Sequence, residues 1–257
     1  MQLAIISDIH GNSWALQEVL SDIRKRGIQT ILNLGDSLYG PLDPAGTFEL
    51  LRQNHVTSIS GNEDRLLINH DETAEDSRVL RYVLSRIGPV ILQWLSGLPA
   101  DLVFNRAVYA CHGIPGNDSV YLLETPVSGA LALRPEEDIQ ELVCGIGQNM
   151  IVCGHSHLPR TIRTGERIII NPGSVGCPAF DDDQPVYHKF DTGDNMARYA
   201  LLDTGSGIPV PVHISVPYDF IEAASCARKN GFPDWGYWLS TGTTRFTSLT
   251  ESRIIGF

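Results

Sequence analysis

Apolar residues in this chain fall in short runs, each closed by a polar cluster. Residues 3–7 form the first run and end at Asp8-Ile9-His10-Gly11-Asn12. Trp14, Leu16, Val19, Leu20 and Ile23 follow at helical spacing, the mark of a helix with one buried face. Basic residues at 24–26 and then Gly27 close it, as a last turn and C′ position favour. A second run, 30–34, ends at Gly35-Asp36. A helix is predicted over about 44–53. A third run, 56–59, ends at Ser60-Gly61-Asn62. The order β-α-β-α-β predicts a parallel sheet with helices packed against it.

The middle of the chain is less regular. Residues 71–76 are an acidic stretch, expected as a solvated loop or helix start. Helices are predicted over 79–87 and 90–95, broken by Gly88-Pro89. Strands are predicted over 101–104 and 107–111, the second followed by His112-Gly113. A helix over about 135–143 precedes a strand over 150–153, after which stands Gly154-His155-Ser156-His157. A strand over 167–170 leads into Asn171-Pro172-Gly173-Ser174-Val175-Gly176. Beyond it the pattern predicts a solvated acidic loop at 181–183, strands at 197–202 and 210–216, and a helix over 221–229. Nothing reads as a linker or repeat. The expectation is one domain over 1–257, with a core at 1–176 and an extension at 177–257 that joins it or forms a small cap.

Composition narrows the function. The chain has 257 residues, of which 42% are hydrophobic, a globular composition. No apolar run approaches the roughly 20 residues that span a bilayer, so no membrane partner is expected. With 19 Lys and Arg against 30 Asp and Glu, the net charge of −11 argues against a groove for long nucleic acid. Taken alone it also argues weakly against any phosphate ligand. The five cysteines are odd in number, widely spaced and without a CxxC, so neither a disulfide framework nor a thiolate zinc site is expected. Cys111 and Cys153 read as small apolar strand residues. With no targeting signal at the N-terminus, a reducing cytoplasmic compartment is expected.

The predicted strand ends carry a chemical pattern. Asp8 and His10 follow the first strand, Asp36 the second and Asn62 the third. His112, His155 and His157 follow two later ones. Ligands gather outside the carboxyl ends of strands in such sheets, so these seven donors should converge. They are too many for one tetrahedral zinc and suit two adjacent metals sharing a carboxylate. Two dications against two aspartates leave a centre that attracts phosphate. His55, His70, His188 and His213 lie outside the pattern and read as surface or structural residues.

The series Asp8-Ile9-His10-Gly11-Asn12, Gly35-Asp36, Gly61-Asn62-Glu63-Asp64, His112-Gly113 and Gly154-His155-Ser156-His157 resembles the calcineurin-like metallophosphoesterase superfamily. The run from Asn171 to Gly176 is similar to its small prokaryotic phosphodiesterase branch. The resemblance implies an α/β fold, a four-layer α/β/β/α sandwich of two mixed sheets flanked by helices. It implies two divalent ions, drawn from Mn, Fe, Zn, Ni or Co. Asp8, His10, Asp36 and His157 would hold one, and Asp36, Asn62, His112 and His155 the other. It implies hydrolysis of a small phosphate ester by in-line attack of a metal-bridging hydroxide, diesters favoured. The alternatives are a phosphomonoesterase, a protein or nucleotide phosphatase, or a non-catalytic scaffold on the same fold. A homo-oligomer is compatible with all of these.

Asp36, Asn62 and His112 would act in catalysis as well as in metal binding. The position after Asn62, often a histidine that protonates the leaving group, is Glu63 here. Beside two dications Glu63 should be depressed in pKa and a poor acid. Asp64 is placed to orient the loop or to add to the chemistry. Asn12, Tyr39 and Ser174 are candidate substrate contacts, and Asn12 or Ser13 should also cap the first helix.

Overall fold

The computed structural model describes residues 2–69, 77–203, 205 and 209–244. The acidic stretch at 71–76, His70 and the end of the extension at 245–257 lie outside the described residues.

The N-terminal half begins as its pattern predicts. Strand β1 (Gln2–Ile6), helix α1 (Ser13–Lys25), strand β2 (Ile31–Asn33), helix α2 (Pro44–Gln53) and strand β3 (Thr57–Ser58) succeed one another. The three strands pair in parallel in the order β1-β2-β3. Asn12 caps α1 by accepting from the Ala15 amide, and Arg24 and Lys25 occupy its last turn. Helices α3 (Asn62–Ile68), α4 (Arg78–Leu84) and α5 (Pro89–Ser96) follow.

The second half adds strands β4 (Leu102–Phe104), β5 (Val108–Ala110), β6 (Glu124–Val127) and β7 (Ala130–Leu133), then helix α6 (Glu136–Leu142). Strands β8 (Met150–Val152), β9 (Arg160–Thr164), β10 (Arg167–Asn171), β11 (Ala179–Asp182) and β12 (His188–Asp191) come next. Strands β13 (Ala197–Asp203) and β14 (Val212–Val216) and helices α7 (Phe220–Lys229) and α8 (Pro233–Thr241) complete the described order. One five-stranded sheet runs β14-β13-β1-β2-β3 and another β4-β5-β8-β10-β9. Each is mixed. β13 pairs antiparallel with β1, and β4 and β9 pair antiparallel with their neighbours. Thus part of 177–257 completes the first sheet.

The layers follow from alternation along the strands. Leu3 and Ile5 face inward with Leu32, Leu34 and Ile59, against Val108, Val152, Ile168 and Ile170 of the other sheet. Ala4 and Ile6 turn the other way, onto Leu16, Val19 and Ile23 of α1 and Ala223 and Ala227 of α7. Ile151 and Ile169 likewise turn outward onto Ile139 of α6. The central strands are covered on both faces and so read as continuous apolar runs, while the edge strands β4, β9 and β14 are partly exposed. The result is helix, sheet, sheet, helix, the four-layer order the resemblance implies.

Several elements escape the pattern. Helix α3 starts at Asn62, where Gly61-Asn62 reads as a turn, because the Asp64 carboxylate accepts from the Gly61 amide and caps it. Strand β9 and the hairpins β6–β7 and β11–β12 are short and lack clean alternation. Helix α8 opens with Pro233 and contains Gly236, which packs against the Ala224 carbonyl and the Arg228 side chain of α7. Residues 181–183 are not simply a solvated loop: Asp181 and Asp182 end β11, and both line a cavity described below. Among the described residues no helix is long and apolar enough to cross a membrane.

Candidate metal centre

The strand ends bring all seven predicted donors to one rim. Asp8, His10, Asp36, His155 and His157 adopt left-handed backbone with φ of 56°, 51°, 50°, 70° and 58°. Such a conformation costs a non-glycine residue on the order of 1–3 kcal/mol and persists only where neighbours enforce it. Here the loops lace one another. The Asp8 amide donates to Gly35 O at 3.0 Å, the His10 amide to Asp36 O at 3.0 Å and the Gly154 amide to His112 O at 2.8 Å. Gly61 is required, since a Cβ there would run into Asp36 Oδ1 and its backbone nitrogen.

Three sets of donor atoms lie within 4.8 Å of one another: Asp8, His10 and Asp36; Asp36, His112 and His155; and His10, His157 and Cys177. Asp36 is common to the first two, at the join between them. The imidazoles are oriented from behind. Nδ1 of His10 donates to Tyr39 O at 2.9 Å, that of His112 to Leu34 O at 2.7 Å and that of His157 to Cys177 O at 3.0 Å. A carbonyl can only accept, so these bonds leave each Nε2 as the ligating nitrogen of a neutral ring.

Those nitrogens face other acceptors. His10 Nε2 lies 3.1 Å from His157 Nε2. His112 Nε2 lies 3.0 Å from Asn62 Oδ1 and 3.3 Å from Asp36 Oδ2. Asp8 Oδ1 is buried with no hydrogen-bond partner and sits 3.5 Å from His157 Nε2. Lone pairs facing lone pairs in a buried site need a cation between them. The donor set therefore fits divalent metal, and Asp36 belongs to two of the donor groups.

Without an ion, protons supply that charge. His10 is raised to about 9: burial opposes the charge, but Glu63, Asp36 and Asp8 outweigh it. His112 is raised to about 10, against its burial, chiefly by Asp36. Burial pushes Asp8 up to about 6. Asp36 is held below the usual carboxylate range despite its burial, by His112 first. Burial and the neighbouring His112 lower His155 to about 3, and burial and His10 hold His157 well below the usual imidazole value.

Glu63 Oε2 lies 3.0 Å from His10 Nδ1, and the Glu63 amide donates to Asp36 Oδ1 at 2.9 Å. In the ion-free centre burial raises the Glu63 carboxyl to about 7; the depression expected of it belongs to a centre carrying dications.

Three sequence-based candidates have other work. The Asp64 carboxylate accepts from the amides of Gly61, Ser37 and Leu38, which shapes the loop. Asn12 is fully buried: its Oδ1 caps α1 and its Nδ2 donates to Gly176 O and Tyr218 Oη, so it cannot meet substrate. Ser174 Oγ donates to Asp8 O and accepts from the Cys177 amide, tying one loop to the other rather than reaching a ligand. Tyr39 does line the cavity over the centre, with its hydroxyl bonded to Ser77 Oγ.

The structure adds residues the sequence did not single out. Cys177 is buried beside His10 and His157; it directly follows Gly176, which was its one available signal. Tyr121 stacks on His155 with ring centroids 4.4 Å apart, and its hydroxyl donates to His188 Nε2, whose Nδ1 donates to Val186 O. His188 is thus a satisfied structural histidine. Phe180, Trp235 and Trp238 line the cavity with no motif to announce them.

Comparison with known proteins places the family. The sequence model of the calcineurin-like phosphoesterase superfamily domain matches residues 1–195. The chain is 27% identical to MJ0912 of Methanocaldococcus jannaschii, covering 91% of this chain and 94% of that protein. It is 27% identical to phosphodiesterase YfcE of Escherichia coli, covering 79% of this chain and 88% of YfcE. A metallophosphoesterase from Sphaerobacter thermophilus superposes with a TM-score of 0.75 at 24% identity, over 94% of this chain and all of that one, a likeness of fold. The chain belongs to the calcineurin-like phosphoesterase superfamily.

Proposed function

We propose that this chain hydrolyses small phosphate esters, diesters foremost, at a centre of two divalent ions. One observation carries the reading: buried acceptors face one another at two adjacent places, with Asp36 common to both. Asp8, His10, Asp36 and His157 would hold one ion, and Asp36, Asn62, His112 and His155 the other. When bound, two such ions supply Lewis acidity, an acidified water and a clamp on the oxygens of an in-line displacement at phosphorus.

The protein's own part is positioning. Bonds from Nδ1 to backbone carbonyls fix ring planes and tautomers, so the ligands are set before an ion or a substrate arrives. The two aspartates do not cancel two dications, which makes the site attractive to phosphate inside a protein of charge −11. The same surface charge disfavours long nucleic acid. Glu63 stands beside His10, and no histidine of the centre is left over to give a proton to a departing alcohol. Esters with good leaving groups therefore suit the site. The likeness to YfcE, named a phosphodiesterase, supports the preference for diesters. Oxygen and nitrogen donors of this kind accept Mn, Fe, Zn, Ni or Co.

The test is hydrolysis of bis(p-nitrophenyl) phosphate and p-nitrophenyl phosphate by protein stripped of metal and reloaded with each ion. Metal-dependent cleavage, faster on the diester and abolished in Asp36→Asn and His112→Ala, is expected. Equal activity in stripped protein or in those variants would overturn the reading.

A further inference from the structure

A cavity of about 420 Å³ opens over the metal ligands. His10, Asp36, Asn62 and His155 are at its floor. Its walls come from the Tyr39 side chain, whose backbone carbonyl orients His10, and from segments that give no metal donor: Phe180 on β11, and Trp235 and Trp238 on α8. A second hollow of about 320 Å³ shares Asp181, Trp235 and Trp238 with it and is lined also by Arg78, Phe232 and Asp234.

The two tryptophans stand three residues apart on one face of α8, with ring centroids 5.5 Å apart. Trp235 is 6.0 Å from the His10 ring, so the aromatic wall begins at the metal floor and leads outward. Helix α8 is held against α7 at Gly236, where any side chain would strike the Ala224 carbonyl, and Arg228 donates to Gly236 O. The wall is therefore a fixed surface.

The charge along it is negative. Asp181 and Asp182 line the inner cavity, and Asp181 and Asp234 the outer hollow. Apart from the histidines at the floor, the one cation among the described lining residues is Arg78. Its Nη2 donates to Gly231 O, and its guanidinium lies 5.1 Å over the Phe232 ring.

We propose that this cleft binds the organic part of the ester, and that this part is an aromatic or heteroaromatic group bearing no second phosphate. The proposal rests on the phosphoesterase reading and names its substrate class. With the phosphate at the floor, the neighbouring group meets tryptophan and phenylalanine faces, which favour planar rings. A further anion there would meet these carboxylates, Asp181 half-buried and Asp182 and Asp234 exposed, and their repulsion would weigh against it. Singly phosphorylated nucleosides and aryl phosphates fit both conditions; bisphosphates and polyphosphates fail the second.

Binding to the metal-loaded full chain, read by tryptophan fluorescence, tests this without turnover. Phenylphosphonate should bind at least tenfold tighter than methylphosphonate. Thymidine 5′-monophosphate should bind at least tenfold tighter than thymidine 3′,5′-bisphosphate, whose extra phosphate lies on the far side from the metals. Trp238→Ala should collapse the first ratio, and Asp181→Asn should narrow the second. The same compounds, as competitive inhibitors of bis(p-nitrophenyl) phosphate hydrolysis, should rank in the same order. Equal affinity for the two phosphonates overturns the aromatic assignment, and equal or tighter binding of the bisphosphate overturns the exclusion of a second phosphate. Failure of every ester to turn over with every metal counts against the phosphoesterase reading instead, and leaves the binding ratios to decide the cleft.

Discussion

His10 and His157 point their Nε2 atoms at each other across 3.1 Å, each ring pinned from behind by a backbone carbonyl. One carbonyl comes from the loop after β2 and the other from the loop after β10. Two strand ends 147 residues apart are therefore locked in a geometry that a cation completes. Metal should stabilise the fold accordingly. A ligand at about 100 times its Kd adds about 2.7 kcal/mol, which for a chain of this size raises Tm by roughly 5–10 °C. Thermal melts of stripped and reloaded protein check this. His157→Ala should lose much of the increment and about one ion per chain by elemental analysis; retention of two would remove His157 from the ligand set.

Cys177 places a thiol, which donates to Ala179 O, beside a site otherwise made of nitrogen and oxygen donors, and whether it joins an ion is open to test. Its Sγ lies within 4.8 Å of donor nitrogens of His10 and His157, and its carbonyl orients the His157 ring. Thiolate favours zinc and cobalt over manganese. Cys177→Ser keeps the backbone carbonyl and changes only the sulfur. Competition titrations should then show zinc affinity falling about tenfold while manganese affinity changes little, and the cobalt-loaded wild type should carry a thiolate charge-transfer band that the variant lacks. Matching spectra would remove the sulfur from the ion.

Glu63 occupies the place where a proton donor would stand. Its backbone amide binds Asp36 Oδ1 and its carboxylate lies beside His10, so it is tied to ligands on two sides. With metal bound, a carboxylate there stays ionised and gives no proton to the leaving group. Rates over a series of aryl methyl phosphates should therefore fall steeply as the leaving group's pKa rises. Glu63→Gln should leave that slope as it is, even where it alters absolute rates. A shallow slope in the wild type that steepens in the variant would make Glu63 the acid.

The clustering of the seven donors was legible in the sequence because each sits one to four residues past a short apolar run, and the strands of the two sheets end on one rim. The left-handed backbone at Asp8, His10, Asp36, His155 and His157 is the physical counterpart of those clusters. The cleft was not legible. Phe180, Trp235 and Trp238 come from a short hairpin and a proline-started helix, and their place over the metals depends on α7 and α8 packing, which local pattern does not encode. The structural bonds of Asn12 and Ser174 were hidden for a related reason. Both residues lie in the right loops, but their side chains face inward to hold those loops together.

Tyr199 of β13 donates its hydroxyl to Asp22 of α1 at 2.6 Å, and Arg26 Nε donates to the same carboxylate oxygen at 2.8 Å. These bonds tie a strand from the second half to the first helix. Burial alone would raise the Asp22 carboxyl, but the bonds from Arg26 and Tyr199 outweigh it and hold the group below its usual value. A carboxylate whose folded pKa is depressed stabilises the fold at all pH above its unfolded pKa of about 3.9, and loses that contribution as pH falls through the lower folded value. Asp22→Asn should therefore cost about 1 kcal/mol at pH 7, a figure kept small by the group's partial exposure, and so lower Tm by about 2–4 °C. The gap between the two proteins should hold from pH 7 to about pH 5 and shrink below pH 4 as Asp22 becomes protonated in the wild type. Melting curves at half-unit steps in pH measure it; a gap that persists unchanged into acid would assign the effect to the shape of the side chain and not to its charge.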